Sequence, residues 1–143
     1  MNPAVALPFA INIRVYFEDT DAGGIVYYVN YLKFMERART EYLRGLGYEQ
    51  QRLFDDELMF VVHSLNARYH RPARLDDLLR LELRVTRAAR SYLLFQQKVI
   101  NQQDDELLCE AEVKVACVQS GNMKPRAIPE AMRDAMSSGL SAS

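Results

Sequence analysis

The chain has 143 residues, a length typical of one domain, and 49% of them are apolar, which is enough for a substantial core. Its 18 lysines and arginines nearly balance 19 aspartates and glutamates, so charge gives no case for binding nucleic acid or an anionic membrane. No apolar run is long enough to cross a bilayer, and the N-terminal residues lack the basic segment of a signal peptide. We therefore expect one cytoplasmic domain over residues 1–143, with no membrane insertion and a disordered tail over 137–143.

The first elements along the chain are a strand and a long helix. Apolar and polar residues alternate as in a half-buried strand, and the apolar positions are Ile11, Ile13, Val15 and Phe17. Apolar residues then recur at spacings of three and four, as on one face of a helix, at Tyr31, Phe34, Met35, Ala38, Tyr42 and Leu46. Gly45 and Gly47 provide a C-terminal stop for this helix.

Four further strand patterns follow the helix. Their apolar faces are Val61, His63, Leu65, Ala67 and Tyr69; Leu79, Leu81, Leu83 and Val85; Leu93, Phe95, Gln97 and Val99; and Leu107, Cys109, Ala111, Val113, Val115 and Cys117. Short links between the later strands favour an antiparallel sheet, and a curved sheet can cover the apolar face of the helix. A short helix is expected over 131–136. The order of elements predicts an α+β domain.

Both cysteines lie in the last of these strand patterns. Cys109 and Cys117 are eight residues apart, so their Cα atoms are about 26 Å apart in an extended strand. A disulfide needs Cα atoms within about 7 Å of each other, so this pair cannot form one there. We expect two free, buried thiols, as in a protein of a reducing compartment.

The most informative segment lies between the first strand and the helix and reads Asp19-Thr20-Asp21-Ala22-Gly23-Gly24-Ile25-Val26-Tyr27-Tyr28-Val29-Asn30-Tyr31. A carboxylate just ahead of a helix N-terminus can attack a carbonyl group or activate water, while free backbone N–H groups stabilise the resulting oxyanion. A pair of glycines lets a ligand approach the backbone closely. Asp21 is the first candidate for this carboxylate, and the alternative for it is a helix N-cap or an Asx turn.

Arg14-Val15 and the segment from Thr20 to Tyr31 together resemble the signature of the hydroxybenzoyl-CoA thioesterase family. The region from 11 to 129 resembles the Tol-Pal-associated acyl-CoA thioesterase branch of that family. The other matching stretches are Glu36-Arg37-Ala38-Arg39-Thr40-Glu41, Pro72-Ala73-Arg74-Leu75-Asp76-Asp77 and Met123-Lys124-Pro125-Arg126-Ala127. The resemblance implies the hot-dog fold, in which a five-stranded antiparallel sheet wraps around a long central helix. It also implies hydrolysis of an acyl-CoA thioester to a free acid and coenzyme A.

The same resemblance implies roles for individual residues. Asp21 would be the nucleophile or general base, and the backbone N–H of Tyr28 would bind the thioester oxygen, whether or not the Tyr28 ring packs at the helix entry. The Tol-Pal branch usually has histidine where this chain has Tyr28, so an imidazole role is excluded at this position, whereas the backbone role remains. The implied substrate-binding residues are Gly24, Val26 and His63, together with Arg90, Ser91 and Arg126, which would hold the phosphates of coenzyme A. The alternatives are a hydrogen-bonded core histidine for His63 and an ordinary solvated face for the two arginines.

No metal or cofactor is expected. His63 and His70 are seven residues apart in one strand pattern, which puts them on opposite faces, and the Asp19–Asp21 pair lacks a third ligand. The chain also has no Gly-x-Ser-x-Gly elbow of a serine hydrolase.

Two alternative functions remain open. A hot-dog dehydratase would have a different, histidine-containing signature. A non-catalytic module could bind acyl-CoA or an acyl carrier protein in envelope or lipid metabolism, but it would not need a carboxylate facing a thioester, so Asp21 favours catalysis. Family members build their sites between subunits, so the resemblance also implies a homodimer or homotetramer.

Overall fold

The structure, a computed structural model, describes residues 8–142, and the side chains of residue 50 and of 138–142 lie outside that description. Within it, the elements follow in the order β1 (Phe9–Arg14), α1 (Tyr28–Gly45), α2 (Gln50–Asp55), β2 (Leu58–Tyr69), β3 (Leu78–Ala88), β4 (Tyr92–Asn101), β5 (Leu107–Gln119) and α3 (Glu130–Ala142). The strands form one antiparallel sheet in the spatial order β1-β3-β4-β5-β2. The predicted α+β layout of a strand, a long helix and four strands is therefore confirmed.

The core lies between α1 and one face of the sheet. Every residue of the predicted helical stripe is buried, and so is every residue of the predicted apolar faces of β3, β4 and β5 except Leu107. This agreement follows from the length of these patterns, because a helix of five turns and strands of ten or more residues repeat their period several times. The helix lies against β1, β3 and β4, and this contact buries its apolar stripe.

Gln97 is a polar residue on this otherwise apolar face, and it is 1% exposed. Its side-chain Nε2 donates to the carbonyl oxygen of Met35 in α1, at 2.9 Å, and its Oε1 accepts from Nη1 of Arg39, at 2.8 Å. Burial lowers the pKa of Arg39. A buried amide is tolerated when its donors and acceptors have hydrogen-bond partners. Gln97 therefore links α1 to β4 without leaving an unpaired polar group.

The prediction of which side chains of β2 face the core is wrong for the first half of the strand. The strand carries a β-bulge between Val62 and Ser64, with His63 as the extra residue. A bulge reverses the alternation of side chains, so Phe60 and Val62, rather than Val61 and His63, share the core-facing side with Leu65. Simple period-2 counting cannot detect an inserted residue, which is why the sequence pattern misplaced these side chains.

The first strand is also shorter than predicted. β1 ends at Arg14, and Phe17 to Asp19 form a single 3₁₀ turn that Tyr16 closes by donating its N–H to Oδ2 of Asp19, at 2.9 Å. Phe17, which the alternation placed on the buried side, is 81% exposed. The chain therefore leaves the sheet early and enters the segment ahead of α1 as an irregular loop.

Cys109 and Cys117 are free and buried in β5, as predicted, and burial raises the pKa of each thiol, to about 12 and about 11 respectively. The C-terminal helix covers Glu130–Ala142, which is longer than the expected 131–136, and it packs Met132 into the core. Of the tail predicted to be disordered, Ser143 lies outside the described residues. No helix among the described residues has the length and apolarity needed to cross a membrane.

Candidate active site

A narrow antiparallel ribbon lies directly ahead of α1. Thr20 pairs with Val26 in a β-bridge, and the N–H of Asp21 donates to the carbonyl oxygen of Ile25, at 3.0 Å. The carbonyl oxygen of Asp21 accepts the N–H of Gly24, also at 3.0 Å, so the chain reverses between these two residues. Gly24 has a φ of 77°, in the left-handed region that favours glycine. The turn itself therefore requires the second glycine of the Gly-Gly pair.

A third segment pairs with this ribbon and ties it to α1. Ile25 pairs with Arg74, and the N–H of Val26 donates to the carbonyl oxygen of Ala73, at 2.8 Å. The N–H of Ala73 donates to the hydroxyl oxygen of Tyr31, on the first turn of α1, at 2.8 Å. Ala73 is fully buried. Two of the sequence segments that carry the family resemblance, 20–31 and 72–77, therefore pair with each other here, although they are far apart along the chain.

The Asp21 carboxylate is exposed and held in a defined position. Its Oδ1 accepts the N–H of Gly23 at 2.9 Å, so the Asx turn that the sequence left as an alternative is present. A Cβ at position 23 would lie 3.3 Å from this Oδ1, which is a tight contact. Any residue other than glycine would therefore require a small shift of the Asp21 side chain. The second oxygen, Oδ2, has no hydrogen-bond partner among the residues that the structure describes. One oxygen therefore fixes the side chain while the other faces outward.

The N-terminus of α1 follows immediately. The helix begins at Tyr28, and the N-cap residue Tyr27 makes no side-chain hydrogen bond to it. The first N–H groups of a helix lack intrahelical acceptors and carry the positive end of the helix dipole. The carbonyl oxygen of Asp19 accepts from Nδ2 of Asn30 at 2.8 Å and from the N–H of Tyr27 at 3.2 Å, which holds the acidic loop against this helix end. This arrangement suits the binding of a developing negative charge.

Aromatic rings surround the helix end. The ring of Tyr28 is 57% exposed and contacts the rings of Tyr27 and Tyr69, with centroids 4.9 Å and 6.1 Å apart. Tyr69 also contacts Tyr31 at 5.6 Å, and burial raises the pKa of Tyr31. The packing role and the backbone role considered for Tyr28 are therefore compatible, because they use different parts of the residue.

The three residues expected to bind the nucleotide end of the substrate form a separate cluster. The carbonyl oxygen of Ser91 accepts the N–H of Cys117 at 2.8 Å, and the carbonyl oxygen of Cys117 accepts the N–H of Arg126 at 2.9 Å. Arg90 precedes Ser91 at the tip of the β3–β4 hairpin and is exposed. Nη1 of Arg126 donates to the carbonyl oxygen of Asp56 at 2.8 Å, so this arginine also has a structural contact.

This basic cluster and the Asp21 ribbon lie at opposite ends of the sheet. Tyr69, which contacts the N-terminus of α1, pairs with Cys109, whereas Cys117 pairs with Phe60 at the far end of β2. Cys109 and Cys117 are eight residues apart in β5, which corresponds to a span of about 26 Å. The structure therefore brings Asp21, Gly24, Val26 and Tyr28 together, and Arg90, Ser91 and Arg126 together, but it does not bring the two groups together in one chain.

Two of the predicted substrate-binding residues have environments that limit their roles. His63 is exposed in the bulge, and its Nδ1 lies 3.3 Å from Oγ of Ser64. The alternative prediction of a hydrogen-bonded histidine in the core is therefore wrong. Val26 is 4% exposed and its N–H is already donated to Ala73, which leaves it a packing role rather than that of a hydrogen-bond donor. No cluster of three or more potential metal ligands occurs among the described residues.

The sequence reasoning did not assign site roles to Ala73 or Arg74, which form the third strand of the ribbon. The signal that points to them is their presence in the matching block 72–77.

Tyr31→Phe is expected to destabilise the fold by about 1–3 kcal/mol, because it leaves the buried N–H of Ala73 without its acceptor. Tyr92→Phe is the matched control, since Tyr92 lies on the opposite side of the sheet with the Lys114 ammonium over its ring. Urea unfolding of both variants measures the difference. Equal free energies of unfolding for the two variants would show that the Tyr31 hydroxyl does not hold the ribbon.

Comparisons with known proteins agree with this geometry. Residues 15–136 match the family model described as the thioesterase-like superfamily. The chain is 47% identical over 120 residues to the Escherichia coli acyl-CoA thioester hydrolase YbgC, covering 84% of this chain and 89% of the relative. It is 48% identical over 128 residues to the Haemophilus influenzae acyl-CoA thioesterase YbgC, covering 89% and 93%.

Solved structures share the fold. A probable thioesterase from Bartonella henselae has a TM-score of 0.78 at 34% identity, covering 84% of this chain and 98% of that one. A 1,4-dihydroxy-2-naphthoyl-CoA thioesterase from Synechocystis has a TM-score of 0.84 at 21% identity, covering 90% and 95%. The predicted hot-dog architecture is confirmed by these likenesses and by the sheet wrapped around α1. This chain is a member of the thioesterase-like superfamily.

Proposed function

We propose that this protein is an acyl-CoA thioesterase in which Asp21 and the N-terminus of α1 hydrolyse the thioester. The observation that carries the proposal is the Asp21 carboxylate, which is exposed and fixed by a turn in the ribbon that leads into α1, a helix whose N-terminus has no side-chain cap. The relatives named as acyl-CoA thioesterases support the choice of substrate class.

The chemistry follows from two groups. An oxygen of Asp21 either attacks the thioester carbon, forming an anhydride that water then hydrolyses, or removes a proton from the attacking water. In both routes the carbonyl oxygen becomes an oxyanion, which the backbone N–H of Tyr28 and the helix dipole stabilise. The C–S bond breaks, coenzyme A leaves as the thiolate and takes up a proton, and the acyl group leaves as a carboxylic acid.

We also propose that the working enzyme is a homodimer or a tetramer built from such dimers. The edge strand β2 exposes three large apolar side chains, and these are Val62 at 47%, Leu65 at 41% and Tyr69 at 45%. An uncovered edge with apolar side chains favours association. If two copies pair antiparallel along β2, two-fold symmetry places the basic end of each copy beside the Asp21 ribbon of the other. Each complete site would then use both chains.

We propose that the protein works in the cytoplasm, in lipid metabolism. Two free, buried thiols are compatible with the cytoplasm, where acyl-CoA turnover in lipid metabolism takes place. An acyl carrier protein presents its acyl group on the same pantetheine arm as coenzyme A, so we propose it as a second acyl donor to be tested beside acyl-CoA.

Asp21→Asn is expected to lower kcat at least about a hundredfold, the usual cost of losing a general base or nucleophile. The amide oxygen of asparagine can still accept the N–H of Gly23, so the turn and the fold should persist. Thiol release from a panel of acyl-CoAs measures turnover, and Glu18→Gln, a nearby exposed acid, is the control. Near wild-type turnover by Asp21→Asn would exclude Asp21 as the catalytic carboxylate. Absence of turnover by the wild type, with acyl-CoA bound, would favour the non-catalytic binding module.

The backbone N–H of Tyr28 can be removed without breaking the helix. Tyr28 is the first helical residue, where proline is well tolerated, and Tyr27 has φ −64° and ψ 133°, which suits a residue before proline. Tyr28→Pro should therefore lower kcat about a hundred- to a thousandfold through loss of one oxyanion donor. Tyr28→Ala, which also loses the ring but keeps the N–H, and Tyr28→Phe should both be far more active. A large loss in Tyr28→Phe with an intact fold would assign the role to the phenol instead.

Arg90→Ala is expected to raise the KM for acyl-CoA about two- to fivefold with little change in kcat, since the nucleotide phosphates are remote from the thioester. The effect should vanish for an acyl-pantetheine, which lacks the nucleotide, and shrink at high salt. Arg126→Ala should behave in the same way, although thermal unfolding must be measured because its guanidinium also contacts Asp56. Lys98→Ala, on the outer face of β4, is the control, because it removes a positive charge far along the sheet from this cluster. An equal rise in KM for acyl-CoA and for acyl-pantetheine would show that the nucleotide binds elsewhere.

A further inference from the structure

Asp21, Ile25 and Arg74 stand in one row across the three-stranded ribbon. Asp21 pairs with Ile25 in the register set by the Thr20–Val26 bridge, and Ile25 in turn pairs with Arg74. Residues directly opposite each other on antiparallel strands project their side chains to the same face. Asp21 and Arg74 therefore lie on one face of the ribbon.

The burial of the ribbon supports this assignment. The adjacent row contains Val26 and Ala73, which are 4% and 0% exposed and therefore face the core. The row of Asp21 and Arg74 alternates with it, and both of these residues are exposed. The outward face of the ribbon thus presents a carboxylate and a guanidinium on either side of the half-buried Ile25.

The two charged residues are close enough to contact one substrate. A hydrogen-bonded antiparallel pair has Cα atoms about 5.5 Å apart and a non-hydrogen-bonded pair about 4.5 Å, so the Cα atoms of Asp21 and Arg74 are roughly 10 Å apart. The Ile25–Arg74 pair is of the second kind, because the hydrogen bonds flank it: Val26 donates to Ala73, and Leu75 donates to Gly24. The long side chain of Arg74 can cover part of this distance.

The side chain of Arg74 has no hydrogen bond or ion pair among the described residues. Its backbone N–H donates to Oδ2 of Asp77 at 2.9 Å, which is independent of the guanidinium. Neighbouring arginines differ, since Nη1 of Arg14 donates to the carbonyl oxygen of Asp76 at 2.8 Å and Nε of Arg71 lies 2.6 Å from Glu106. The fold therefore uses the backbone of Arg74 and leaves its charge available for a ligand.

We propose that Arg74 is a substrate-binding residue that donates hydrogen bonds to the pantetheine arm of acyl-CoA. This inference rests on the proposed role of Asp21. When the thioester carbon lies at Asp21, the first polar groups beyond the sulfur are the two amides of the arm, and a guanidinium, which only donates, suits their carbonyl oxygens. The half-buried Ile25 between the two residues offers an apolar contact for the methylene groups of the arm. The nucleotide phosphates lie farther along and are assigned to the separate basic cluster.

The test is steady-state kinetics with two substrates, an acyl-CoA and the corresponding acyl-pantetheine. Arg74→Met keeps most of the apolar stem and removes the donors, and we expect it to raise KM about tenfold for both substrates, with kcat within about twofold. Arg74→Lys, which retains one charged donor, should recover part of the loss. Lys98→Met carries the same charge change on the outer face of β4 and should leave both KM values unchanged. Equal effects on both substrates separate Arg74 from Arg90, whose effect requires the nucleotide.

Several results would overturn the inference. An unchanged KM for both substrates in Arg74→Met would show that the guanidinium does not contact the arm. A rise confined to acyl-CoA would assign Arg74 to the nucleotide, and a fall in kcat at constant KM would assign it to the chemical step. A rise that depends on the polarity of the acyl group would assign it to the acyl side. If Arg74→Met unfolds at a lower temperature than the wild type, the KM values of Arg74→Lys and Arg74→Gln are compared with those of the wild type instead. An active Asp21→Asn would instead refute the proposed function, independently of these outcomes.

Discussion

The arrangement of the site depends on the two backbone polar groups of one buried residue, Ala73. Its N–H donates to the Tyr31 hydroxyl on α1, and its carbonyl oxygen accepts the N–H of Val26 in the ribbon. A buried backbone group without a partner is costly, so both contacts must persist for the loop to stay in place. They fix the direction in which the chain enters α1, and with it the position of Asp21 relative to the helix end. The rigidity that hydrolysis requires therefore comes from a residue with no reactive group.

A second constraint is the stiffness of the sheet. Strand β5 runs the full length of the core, with Cys109 near the helix N-terminus and Cys117 beside the basic cluster, and nothing in an extended strand allows these ends to approach. We propose that a substrate with a reactive end and a charged end meets its two groups of ligands on different chains. The exposed apolar edge of β2 offers the surface on which a second copy can supply the missing half.

The parts of the fold that could be predicted from the sequence are those with long, regular periods. The stripe of α1 and the faces of β3, β4 and β5 repeat often enough for single irregularities not to matter. Two local irregularities escaped prediction: the bulge at His63, which reverses the alternation of β2, and the 3₁₀ turn that exposes Phe17. The candidate site is proposed from its motif, but the pairing of Ile25 with Arg74 is a contact between distant segments and has no periodic signal.

The most direct measurement is subunit complementation in a heterodimer of two defective chains. One chain carries Asp21→Asn and the other carries Arg90→Ala with Arg126→Ala, with different affinity tags so that the mixed dimer can be isolated. If each site takes its carboxylate from one chain and its basic cluster from the other, one of the two sites is fully intact. The mixed dimer should then show about half of the wild-type kcat/KM for acyl-CoA, well above either homodimer. Activity no greater than the average of the two homodimers would contradict it, because each site would then lie within one chain.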